Sequence, residues 1–225
     1  MNTTELMNMS SLLSPLVLVL GVITGFLRYP RLSGKYKWIL GYLCCALMID
    51  LLSRYWGLFT SQKNNLVFLS ISGLIDLLFI CGLYVFHYLP KKQRWLVYPT
   101  AAVFCLVLFN LFFSGSFTAS TNTFQSYDKL ICNMLIVVYC LFCFMELLQH
   151  KREEHREIMR VNSAVLIFFC VDILISMAAN FLVNEAIGLV IYFWVLRLLL
   201  MTGMYLILIY TIWRTGKNPK HLQFG

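Results

Sequence analysis

Seven apolar stretches, the shortest of 17 residues, punctuate this chain. At about 1.5 Å of helical rise per residue, all fall within or above the range of lengths that cross roughly 30 Å of hydrocarbon. The spans predicted are 11–27, 36–60, 65–88, 95–113, 127–149, 161–183 and 186–213. Only 12% of the 225 residues are charged and 60% are hydrophobic. With a mean hydropathy of +0.76, these values belong to membrane proteins, not to a soluble domain. The expected fold is all-α, a single polytopic membrane bundle of seven transmembrane helices over residues 1–225. The connections leave no room for a soluble domain. The first ten residues lack the basic segment of a secretion signal, so the first run reads as a retained helix.

The placement of charge orients the bundle. Fourteen of the 18 Lys and Arg residues fall on one side. They are Arg28, Arg31, Lys35 and Lys37; Lys91, Lys92 and Arg94; Lys151, Arg152, Arg156 and Arg160; and Arg214, Lys217 and Lys220. The opposite side has Lys63 and Lys129 alone. The N-terminus is therefore expected outside and the C-terminus in the cytoplasm. Belts of Trp38, Trp95 and Trp213 inside, and Trp56, Tyr127 and Tyr192 outside, mark the interfaces. The net charge of +8 follows from this asymmetry and does not indicate nucleic acid. The partners expected are the lipid bilayer and a cytoplasmic protein meeting Lys151, Arg152, Arg156 and Arg160. The mixed-charge stretch 151–157 is predicted to extend the fifth helix into the cytoplasm.

Local signals agree with the spans. Pro15 and Pro99 are placed in the first turns of their helices, where a missing N–H does little harm, and Pro90 stops the third. Gly21 and Gly25 form a GxxxG pair that permits close helix approach. All eight cysteines lie in apolar runs, and Cys140 and Cys143, despite their CxxC spacing, read as small buried residues.

Charged residues inside apolar helices are costly and stay only where compensated. Asp50, Asp76 and Asp172 occur in related settings, Ile-Asp-Leu-Leu twice and Val-Asp-Ile-Leu once. Counting turns places Asp50, Asp76, Asp172 and Arg197 about 15–18 Å in from Trp38, Leu66, Val161 and Ile187, respectively. Asp50 has Arg54 at i+4, and Asp172 is expected to meet Arg197. Asp76 is left over, and an unpaired carboxylate in low dielectric favours its neutral acid. Ser72 and Gly73 stand beside Asp76, while Asp172, Ser176 and Asn180 make one polar stripe. The candidate polar centre is thus Asp50, Arg54, Ser72, Asp76, Asp172, Ser176, Asn180 and Arg197. Asn110 and Asn133 are read as interhelical hydrogen bonds, and Glu146 as reaching water or His150. No metal or cofactor is expected. The last span has no Lys for a retinal Schiff base, no two His share a buried face for zinc, and Ser114–Ser116 has no partner His.

The function expected is receptor-like or signalling-accessory, with a small ligand or lipid in the polar centre. The alternatives are a lipid hydrolase using Asp76 and Asp172 as acid and base, and a small proton-coupled transporter. Several short motifs carry a likeness: Phe26-Leu-Arg-Tyr29 with Leu32-Ser33, Asn64-Asn65, Asp76, Tyr139 with Glu146-Leu-Leu, and Asn162-Ser163. In these the chain resembles a family of uncharacterised seven-helix integral membrane proteins of Bacteroidetes-type bacteria. In that family the third helix tends to carry His and Tyr ahead of a Glu. Ser70, Ser72 and Asp76 stand at those places here, so an imidazole-dependent site is not implied.

Overall fold

In the computed structural model, residues 3–59, 67–113, 127–149, 155–185 and 187–215 are described. They form α1 (Thr3–Arg28), α2 (Gly34–Phe59), α3 (Val67–Asp76), α4 (Val97–Phe113), α5 (Tyr127–Gln149), α6 (His155–Glu185) and α7 (Ile187–Thr215). Two π-helical segments, Leu77–Cys81 and Tyr84–Tyr88, carry α3 onward, and a 3-10 helix, Lys91–Leu96, leads into α4. Among the described residues, seven helices are long and apolar enough to cross a membrane.

The bundle is apolar on both its faces. Its core holds Leu18, Leu43, Leu77, Tyr84, Ile136, Phe169 and Ile212. The outer surface exposes Leu16, Leu20 and Leu27 on α1, Phe109 and Phe113 on α4, and Leu199 and Leu206 on α7. A water-soluble helix places polar residues on that outer face; these helices do not.

The helices pack in a ring of α1, α2, α3, α5, α6 and α7, with α4 outside against α3 and α5. Glycines set two of the seams. A Cβ on Gly21 would lie 2.7 Å from the Ile209 side chain of α7, and one on Gly25 would overlap Leu40 of α2. The GxxxG pair therefore seats α1 against both its neighbours.

The third helix changes pitch directly after Asp76. A π turn departs from the regular ladder, and the Phe79 carbonyl, which accepts from the Gly82 N–H, takes a second bond from Trp38 Nε1 at 2.7 Å. Gly82 makes room for that indole, since a Cβ there would sit 2.7 Å from the ring. Trp38 thus locks α2 to the widened helix. Trp95, Trp213, Tyr127 and Tyr192 are exposed.

Two expectations are corrected. His155, Arg156 and Glu157 open α6 and do not prolong α5, which ends at Gln149. Glu157 is tied to the end of α7 by Thr215 Oγ1, which donates to it at 3.1 Å. The first helix begins at Thr3, so Pro15 lies in its interior, where its ring removes one backbone hydrogen bond. Glu146 accepts from Gln93 Nε2 at 3.3 Å and has Lys92 Nζ at 4.0 Å; His150 lies outside the described residues.

A buried polar lattice fastens α3, α4, α5 and α6 away from the charged centre. Tyr84 donates to Asn162 Oδ1, and Asn162 Nδ2 donates to the Cys140 carbonyl at 3.2 Å. Tyr139 donates to the Leu96 carbonyl at 2.8 Å and shares a 2.7 Å bond with Thr100. Every polar atom taken from water here finds a partner, as burial demands.

Candidate functional site

Three helices present stripes at helical spacing toward one interior cavity of about 200 Å³. On α2 the stripe is Tyr42, Ala46, Ile49, Asp50 and Ser53; on α3 it is Phe68, Leu69, Ser72, Ile75 and Asp76. On α7 it is Trp194, Leu198, Met201 and Tyr205 together with Arg197. Steps of three, four, seven and eight keep such residues on one face. Ser14 of α1, Lys129 of α5 and Phe168 of α6 complete the wall. Ser14, Phe68, Lys129 and Trp194 lie in the first halves of α1, α3, α5 and α7. The cavity accordingly runs from the end where α1 begins toward the middle of the bundle.

The charged wall is organised by Asp172, which is 1% exposed. Its Oδ2 accepts from Asn133 Nδ2 at 2.8 Å and has Lys129 Nζ at 3.5 Å. Arg197 Nε lies 2.6 Å from Oδ1, a close ion pair without hydrogen-bond alignment. One carboxylate therefore neutralises two cations only in part. Asp172 is not itself in the cavity wall; Lys129 and Arg197 stand in front of it. The Arg197 guanidinium also lies over the Trp194 ring, 5.1 Å from its centroid, a favourable cation–π placement.

Asp76 is not without a partner. The Tyr42 hydroxyl donates to its Oδ1 at 2.9 Å, and the Tyr42 and Tyr205 rings lie 6.2 Å apart. Gly73, one turn before Asp76, brings α5 close, with Lys129 Cα 3.4 Å from where a Cβ would stand. Lys129 is thereby drawn inward and is 5% exposed, although its place near the start of α5 reads as interfacial in the sequence. Its i+4 neighbour, Asn133, bonds the same carboxylate, and that pairing was the available signal. Tyr42, Tyr205 and Ser14 gave none, being ordinary members of apolar runs.

The remaining candidates divide. Asp50 pairs with Arg54 through Nε at 3.1 Å and Nη2 at 3.2 Å; Asp50 faces the cavity, and Arg54 does not line it. The Ser72 hydroxyl lines the cavity and donates to the Leu69 carbonyl at 2.8 Å. Ser176 is buried outside the wall. Asn180 lies in α6 with its side chain outside the described residues. Asn110 Nδ2 donates to Asp128 at 2.7 Å, and Ser70 reaches the same carboxylate at 3.4 Å, so Asn110 and Asn133 join helices and do not line the cavity. No family model matches the chain, and neither a curated protein nor a solved structure matches it.

Proposed function

We propose that this chain is a multi-pass protein of a bacterial inner membrane, with its N-terminus outside, its C-terminus cytoplasmic and a receptor-like role. It binds a small polar ligand in the cavity between α2, α3, α5 and α7. The observation that carries this reading is the cavity itself, about 200 Å³ in volume and walled by Asp50, Asp76, Lys129 and Arg197. Charges confined in an apolar bundle cost free energy, and a site that only joined helices would close on them. The seven apolar helices and the basic residues gathered at one end support the membrane arrangement and its orientation. With Arg156 and Arg160 exposed at the basic end, a cytoplasmic protein partner is part of the proposal; Lys151 and Arg152 lie outside the described residues. The seven-helix bacterial family whose motifs the chain resembles is the proposed family.

The hydrolase reading is weaker, because Asp172 is screened from the cavity by Lys129 and Arg197 and is not placed to share a substrate with Asp76. Native mass spectrometry after exposure to a mixture of small polar metabolites tests the proposal. A saturable adduct on the protein that is absent from Ser72→Phe, whose ring fills the cavity, supports it. Adducts equal in both proteins, or none in either, overturn it.

A further inference from the structure

We infer that the ligand of this cavity carries a primary amine and an anionic group in one small molecule; the inference rests on the ligand-binding reading above. The charges on the wall are sorted by helix. The carboxylates come from α2 and α3, as Asp50 and Asp76, and the cations from α5 and α7, as Lys129 and Arg197. Asp50 is matched by Arg54 at 3.1 Å. Asp172 serves Lys129 at 3.5 Å and Arg197 at 2.6 Å, so that group of three holds one surplus positive charge. Asp76 supplies one negative charge, with a neutral tyrosine hydroxyl as its hydrogen-bond donor. The site is thus close to neutral overall, with a positive pole and a negative pole on different walls.

A simple anion entering here meets Asp76, and a simple cation meets Lys129 and Arg197. Only a molecule with both charges satisfies both poles, and the low dielectric of the bundle makes each mismatch expensive. Size narrows the class further. An engineered cavity of about 150 Å³ takes benzene, so about 200 Å³ takes roughly eight non-hydrogen atoms. Phe68, Ile75, Leu198 and Met201 give a short aliphatic part an apolar wall. Ser14 belongs to the wall and is fully buried, and its Oγ has no hydrogen-bond partner. A buried hydroxyl left so is costly unless something fills the place.

The shared chemistry has two sources, a free amino acid or the headgroup of an aminophospholipid, and the experiment separates them. Purified protein in nanodiscs of phosphatidylglycerol alone is titrated calorimetrically with 4-aminobutanoate, valine, butanoate and butylammonium. A parallel preparation in phosphatidylethanolamine is released and its retained lipid measured. The inference predicts that a zwitterion binds at least tenfold tighter than both single-charge analogues, or that phosphatidylethanolamine is retained in preference to phosphatidylglycerol. In either arm Asp76→Asn, which keeps the size of the side chain, must remove the advantage conferred by the amine. Butanoate binding as tightly as the zwitterions overturns the inference and leaves the cavity a ligand site for anions. No binding of any probe and no lipid preference, in folded protein, overturns both readings.

Discussion

Replacing Asp172 by Asn separates two accounts of the charged centre. As a hydrogen-bonding residue, Asp172 accepts one bond from Asn133 at 2.8 Å. A single interhelical hydrogen bond in a membrane protein averages about 0.6 kcal/mol, and Asn retains an acceptor for it. As an anion, Asp172 stands against Lys129 and Arg197, whose side chains are 6% and 11% exposed. Removing one member of a buried ion pair costs about 3–5 kcal/mol, because the partner charge stays buried. Here two partners lose their counter-ion and repel each other, so the upper part of that range is expected. For a chain of this length that is a fall of roughly 8–20 °C in melting temperature. The assay is chemical unfolding in mixed micelles, followed by helix content, with thermal melting as a check. A second variant supplies the control: adding Lys129→Met to Asp172→Asn deletes one orphaned cation and should recover 0.5–3 kcal/mol, the usual range for coupled neighbours. A single variant within about 0.5 kcal/mol of the parent, or a double variant less stable than the single one, would refute the ionic account.

Other consequences follow from the same contacts. Trp38→Phe removes one of the two donors to the Phe79 carbonyl, which keeps the Gly82 N–H, and should cost about 0.5–1.5 kcal/mol in the same unfolding assay. Gly82→Leu, which drives a side chain into the Trp38 ring, should be at least as damaging. Gly73→Ala should be nearly neutral, because a Cβ there meets α5 at ordinary contact distance, whereas Gly73→Leu should push Lys129 away from Asp172 and lower the melting temperature. Reporter fusions after residues 32, 92 and 215 should all report the cytoplasmic side; a periplasmic signal from any of them would reverse the assigned orientation.

The spans were readable because length and apolarity are properties of contiguous sequence. Four boundaries of α4 and α5 agree within two residues of those expected. The π turns after Asp76 had no comparable signal, since a change of helical pitch leaves apolar content untouched. What stabilises it is a tertiary contact, the Trp38 indole, from 41 residues away. The interior of α1 was misjudged for a similar reason: the stretch before Ser11 is polar enough to read as lead-in, yet α1 already begins at Thr3, and Pro15 is left in mid-helix.

At the site, the acids were legible because a carboxylate in an apolar run is conspicuous. Their partners were less so. The Asp172–Arg197 pair followed from matching depth on consecutive helices. Tyr42 as the donor to Asp76 did not, because a tyrosine in an apolar helix is ordinary until its hydroxyl is seen to be directed. Lys129 was hidden by position. Two residues from the beginning of α5 it reads as interfacial, and only the α3–α5 seam at Gly73 turns it inward.

The most direct test of the central claim is thiol labelling of a Ser72→Cys protein in sealed vesicles of known orientation. A small membrane-impermeant reagent is applied from each side in turn, and peptide mapping distinguishes position 72 from the native cysteines. The account predicts labelling from the side bearing the N-terminus, slowed when Ser14 is replaced by a bulky residue that narrows the cavity. Labelling only from the C-terminal side, or from neither side in folded protein, would contradict it.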